Sequence, residues 1–162
     1  MFAEQLDDHL SELAHHYSRS DNVTKAIEYL GRAGRQAMQR CAHANAINSL
    51  TAAIDLLQRL PDNPERIQQE ALLQLAVGPA LLAAKGWAGQ EAERAYTRVR
   101  ELCERLGDTP ELFPALFGLW NVYFARARLR SAYDIAEQLL RRAQSANDPK
   151  LVLYAQLALG IT

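Results

Sequence analysis

Apolar residues along this chain recur every three and four positions, the spacing that draws a stripe down one face of an α-helix. Ala46, Ile47, Leu50, Ala53, Ile54 and Leu57 step in this way. So do Ala92, Ala95, Tyr96, Val99, Leu102, Cys103 and Leu106, and again Ala132, Ile135, Ala136, Leu139, Leu140 and Ala143. Each stripe alternates small and large side chains, which lets neighbouring helices approach and interlock. With their breakers, the periodic segments predict eight helices, over 4–18, 22–41, 43–60, 64–84, 89–106, 110–126, 130–146 and 149–161.

The punctuation agrees with these spans. Asn63-Pro64-Glu65, Thr109-Pro110-Glu111 and Asp148-Pro149 each set a capping side chain before a proline at the first helical position. A missing N–H is harmless there, because it would have no intrahelical partner. Gly86, Gly89 and Gly107 supply stops or turns. Pro79 removes one backbone donor inside the fourth segment, but LLQLAVGPALLAA stays apolar across it, so one kinked helix is expected.

Composition supports an all-α protein. The chain holds 27 Ala and 25 Leu against 16 Val, Ile and Thr together, a balance that favours helix over sheet. Its 162 residues suffice for one domain with a sizeable core. No uncharged apolar run reaches the length of a membrane span, and the acidic start MFAEQLDDHLSE is unlike a secretion signal, so a cytoplasmic protein is expected. A net charge of −1 offers no bulk attraction to nucleic acid or to anionic lipid. Cys41 and Cys103 are read as reduced, buried thiols.

A longer period overlies the helices. Leu30-Ala33-Gly34-Ala37, Gln74-Val77-Gly78-Leu81, Leu116-Leu119-Trp120-Tyr123 and Gln156-Leu159-Gly160 share one pattern, and their third members recur after 44, 42 and 40 residues. The first three are followed by Ala46-Leu50-Ala53, Ala92-Tyr96-Val99 and Ala132-Ala136-Leu139. A helix pair repeated every 40 residues or so is a solenoid unit that cannot bury its face alone. The units fall at about 4–26, 27–62, 63–108 and 109–147, with a partial one at 148–162. That last unit has an opening helix and no second one, so the chain reads as part of a longer arm.

Leu116-Leu119-Trp120-Tyr123 followed by Ala132-Ala136-Leu139 resembles the tetratricopeptide repeat. The stretch from LSELAHHYSRSDN to DLLQRLPD is similar to the helical-repeat arm that follows the ATPase module in bacterial multidomain adenylate/guanylate cyclases. Related regulatory ATPases of the STAND and LuxR type carry such arms too. LAVGPALLAAKGW, AYTRVRELCERLGDTPELFPALFGLWNVYF and SAYDIAEQLLRRAQ resemble later repeats of it. The resemblance implies a right-handed α-solenoid of antiparallel helix pairs. It further implies a non-catalytic sensor or scaffold arm of a signalling cyclase or regulatory ATPase. Its partner would be a protein, a peptide or another domain of the parent chain. The alternative is a small-ligand sensor of a transcriptional regulator, since the segment 110–126 is apolar nearly all round. Repeat spacings of 40 to 44 exceed the 34 of the tetratricopeptide unit.

Catalytic chemistry is sparse. Gly31-Arg32-Ala33-Gly34 lacks the spacing and the lysine of a phosphate loop, and close helix packing explains it better. His9, His15, His16 and His43 lack the i, i+4 pairing of helical zinc ligands, so no metal is expected and no cofactor is implied. Cys41 and His43 stand at a helix junction and form no recognisable catalytic set. The chain alone is therefore read as no enzyme. Arg126, Arg128 and Arg130 crowd one turn, with Arg141 and Arg142 further on, and are read as a solvated surface balanced by Glu101, Glu104, Glu111, Asp134 and Glu137.

Two interaction surfaces remain. Leu116, Leu119, Trp120 and Tyr123 are expected to face the helix paired with theirs, while Phe113, Phe117, Asn121 and Phe124 form a second stripe. In tetratricopeptide repeats the corresponding face lines the groove that holds a peptide, and Asn121 stands where such repeats often offer an amide. The other reading packs these phenylalanines against the neighbouring pair. Leu151, Leu153, Tyr154, Leu157, Ala158 and Ile161 leave an apolar stripe at the carboxyl end, expected to pair with another copy or to fray.

Overall fold

The predicted stripes become helices wherever the chain is described, which in the computed structural model is residues 10, 12, 13, 17, 22–87, 89–107 and 109–162. The helices are α1 (Val23–Gln39), α2 (His43–Leu57), α3 (Pro64–Lys85), α4 (Gln90–Leu106), α5 (Leu112–Ala125), α6 (Leu129–Ser145) and α7 (Pro149–Ile161). No strand occurs among the described residues, so these are all-helical. Most of the helix expected at 4–18 lies outside them. Leu10, Glu12, Leu13 and Tyr17 are helical, and the Tyr17 ring stacks on Tyr29 of α1 at 5.1 Å. No helix among the described residues is long and apolar enough to cross a membrane.

Each helix packs mainly on its neighbours in sequence, with slighter approaches of α1 to α3 and α3 to α5. Lys85 meets Glu91 at one end of the α3–α4 pair, Asp62 meets Arg105 at the other, and Glu70 meets Arg98 between them. So α4 runs back along α3. The core is a chain of two apolar clusters. One joins Ile27, Leu50, Leu57 and Val77 of α1–α3 to Tyr96 and Leu119, and the other joins Val99, Leu102, Leu116, Trp120, Ile135, Leu139 and Ala155 across α4–α7. Leu119 was expected to face the partner helix of α5. It packs instead with the preceding pair, because α5 is covered on both sides.

Asn63 and Asp148 cap as their position before proline predicts, accepting from the backbone N–H of Arg66 at 2.8 Å and of Lys150 at 2.9 Å. The third cap fails. The Thr109 hydroxyl donates to Cys103 Sγ at 3.0 Å, residues 110 and 111 form a turn, and α5 begins only at Leu112. Pro79 sits within one continuous α3, as expected.

Three helix ends use a left-handed residue that is not glycine: Cys41 (φ 57°), Ala127 (φ 56°) and Asn147 (φ 51°). Each heads the same double hydrogen bond back into its helix. At Cys41 the bonds run from its own N–H to Met38 O and from the Ala42 N–H to Ala37 O, which closes the last turn. This role corrects the reading of Cys41 as buried. It is exposed, since a turn residue in this conformation projects from the helix end, whereas Cys103 is buried.

Candidate functional site: the aromatic face of α5

The second stripe of α5 lies half in the core. Phe113, Phe117 and Phe124 are partly buried against the cluster that joins α4 to α7. Trp120, 6% exposed, is held between two of them. Its ring stacks on Phe117 at 5.5 Å and on Phe124 at 5.4 Å, because residues three and four apart share a helix face. The Trp120 Nε1–H donates to Thr162 Oγ1 at 3.0 Å, and the Phe117 ring meets Tyr154 of α7 edge-on at 6.0 Å. The two stripes read from the sequence are thus one aromatic ladder, which Trp120 bridges.

Asn121 also stands half-buried on this helix. Its Nδ2–H donates to the Phe117 carbonyl at 2.8 Å, so that amide N–H is directed into its own helix. All four stripe residues, Phe113, Phe117, Asn121 and Phe124, keep part of their surface open. Below the ladder, Pro110, Phe113, Pro114, Arg142, Ser145 and Leu151 are among the residues lining a cavity of 440 Å³ where α5, α6 and α7 converge.

The arginine cluster at the end of α5 has a structural use. Arg126 pairs with Glu93 and donates to the carbonyls of Trp87 and Gly89. Arg128 reaches Glu93 at 3.0 Å and lies over the Tyr123 ring at 4.4 Å. Burial first, and then the Glu93 carboxylate, raises the pKa of the Tyr123 hydroxyl above its ordinary value. Glu93 was absent from the acidic residues expected to balance these arginines. It lies 33 positions before Arg126, where only the packing of α4 on α5 brings them together.

Glycine spacing carries the closest helix contacts. A Cβ on Gly34 would fall 2.5 Å from Leu50 Cγ, and one on Gly78 would fall 2.5 Å from Tyr96 Cζ. Gly118, which the periodic reading passed over, stands equally close to the same ring, where a Cβ would fall 2.5 Å from Tyr96 Cζ. The Tyr96 ring is therefore wedged between α3 and α5, and burial pushes its hydroxyl pKa up to about 12.

Among the described residues no three His, Cys, Asp or Glu side chains converge as metal ligands would. His9, His15 and His16 lie outside them, and His43 opens α2. No known protein family matches the chain, and neither the curated proteins nor the solved structures include a significant match.

Proposed function

We propose that the chain is a non-catalytic helical-repeat module of the α-solenoid kind, which binds a protein or peptide along the aromatic face of α5. One observation carries the repeat. The central large residue of a second helix, Leu50 or Tyr96, seats on the glycine at the matching position of the first, Gly34 or Gly78, 44 residues apart. In the third pair the sizes are exchanged, with Trp120 on the first helix and Ala136 on the second, both buried in one cluster. Packing of each helix on its sequence neighbours supports the same architecture. The resemblance to arms of cyclases and regulatory ATPases makes such a setting the proposed one, with the module acting as sensor or scaffold in the cytoplasm.

The cavity beside Phe113 favours a second reading, a small-ligand sensor. Thermal melting against a library of extended peptides and against mixed metabolites separates the two, since a ligand of the folded state raises Tm with its concentration. Peptide shifts that Phe117→Ala and Phe124→Ala abolish, at a folding cost under about 1 kcal/mol each, support the groove. Losses of roughly 3–5 kcal/mol for both in urea would make these side chains core and end the groove assignment. Shifts with metabolites alone favour the sensor.

A further inference from the structure

Away from α7, the exposed large apolar residues among the described ones are Leu72, Trp87, Leu129 and Tyr133. The last three stand where the α3–α4 turn meets the α5–α6 turn. Arg126 ties the two turns together through the Trp87 and Gly89 carbonyls, and Arg128 reaches across to Glu93 at 3.0 Å. Leu129 and Arg130 follow Arg128 directly, and Tyr133 lies one turn beyond Leu129 on the same face of α6. Trp87 is 45% exposed, Leu129 47% and Tyr133 46%. Each helix packs on its sequence neighbours, and α2, α4 and α6 make no extensive contact with one another. The start of α6 is therefore open although α5 and α7 are both in place.

The charge left over at this patch is basic. Arg94, Arg126, Arg128 and Arg130 crowd it with two carboxylates, Glu93 and Asp134. Glu93 is shared by Arg126 and Arg128, while Arg94 donates to the uncharged Gln90 amide at 3.1 Å. Arg130 is exposed and enters no ion pair among the described residues. Lys85 and Glu91, at 2.6 Å, offset each other. Two positive charges remain in excess.

We propose that this patch docks an acidic segment of a partner protein, one that also carries apolar side chains. Its carboxylates meet Arg128 and Arg130, and its apolar residues lie against Trp87, Leu129 and Tyr133. Trp, Tyr and Arg are the residues that carry most of the binding energy at protein interfaces. The turn that presents Trp87 is already held by Arg126, so docking costs little freedom there. An excess of two charges is small for a nucleic acid, whose binding rests on neutralising many phosphates. Leu129 also offers no flat face on which a base could stack. The surface shares no residue with the stripe Phe113, Phe117, Asn121 and Phe124, so it goes beyond the α5 groove and does not rest on it.

Random peptides of about ten residues, roughly 30 Å when extended, can be displayed on phage and panned against the full chain. Panning should enrich Asp and Glu together with Leu, Phe or Trp. Fluorescence anisotropy of the enriched peptides should give Kd values on the order of 1–100 μM that rise with salt. Trp87→Ala and Tyr133→Ala should each weaken binding about 10-fold. Arg130→Glu, which removes the charge excess, should weaken it by more than about 10-fold. All three positions are exposed, so urea midpoints should stay at the parent's. Phe117→Ala should leave the binding of these peptides intact, which separates this surface from the α5 groove. Panning without acidic enrichment, or binding unchanged by Trp87→Ala and Arg130→Glu, would overturn the proposal. Tighter binding of a single-stranded oligonucleotide or of phosphatidylglycerol vesicles through the same residues would do so too.

Discussion

Tyr96 shows how much a single ring can fix. It fills a slot whose two walls are glycines on different helices, so neither wall has room for a methyl group. Gly78→Ala and Gly118→Ala should each destabilise by about 1–3 kcal/mol through overpacking, since the ring already lies against both glycines. Gly160→Ala should do the reverse and stabilise by up to about 1 kcal/mol, because its surroundings are open and alanine is the better helix former. Urea melts of the three variants rank these effects, and equal losses at all three would refute the packing account. The buried hydroxyl adds a pH dependence. Its pKa, about 12 in the folded chain against 10.0 normally, means the unfolded state loses its proton first. The stability this group contributes is complete below pH 10 and falls as pH rises from 10 to 12. Tyr96→Phe should flatten that part of the stability curve relative to the parent, and an unchanged slope would count against burial as the cause.

Helix boundaries turn on caps, and caps were legible in the sequence only where the partner is local. Asn63→Ala should cost about 0.5–2 kcal/mol, because the amide oxygen satisfies the Arg66 N–H at the start of α3. Thr109→Ala should cost less as a cap, since its hydroxyl serves Cys103 and not the first turn of α5. Thermal melts of both variants in parallel check the ranking. Asn63 and Asp148 bond residues two or three positions on, so the dipeptide before each helix carries the information. Thr109 had the same signature and a competitor six positions back, which no local rule weighs. The left-handed ends at Cys41, Ala127 and Asn147 were hidden for a related reason. Turn reading leans on glycine, and here ordinary residues hold that conformation because two hydrogen bonds close each end. The apolar stripes had no such competitor, and all seven described helices fall within a few residues of their expected spans. On α5 the stripe Phe113, Phe117, Asn121 and Phe124 was legible as a helix face. Its merger with Trp120 was not, because ring stacking depends on rotamers and on the arrival of Tyr154.

Across the whole molecule, ion pairs tie together segments that lie far apart in the sequence. Glu70, 1% exposed, meets Arg98 at 2.7 Å and has Arg66 at 3.7 Å, while Arg66 and Arg105 both hold Asp62 at 2.8 Å. The two arginines beside Asp62 hold its carboxyl below the usual carboxylate range, the hydrogen bond from Arg66 first. Glu70→Ala should destabilise by roughly 2–4 kcal/mol, less than a fully buried pair would, because Arg98 still reaches solvent. Glu70→Met, which keeps the volume, should lose less of that, and equal losses for the two would show that the lost charge and not the lost volume is at stake. Arg126 acts over a comparable span by closing the turn between α3 and α4, where its guanidinium holds the carbonyls of Trp87 and Gly89. With a glycine on either side, that turn is the natural place for a protease to cut once the arginine lets go. A partner that shifts α5 would then announce itself by nicking roughly 30 residues upstream of where it binds. Limited digestion becomes a reporter of an event at the other end of the helix.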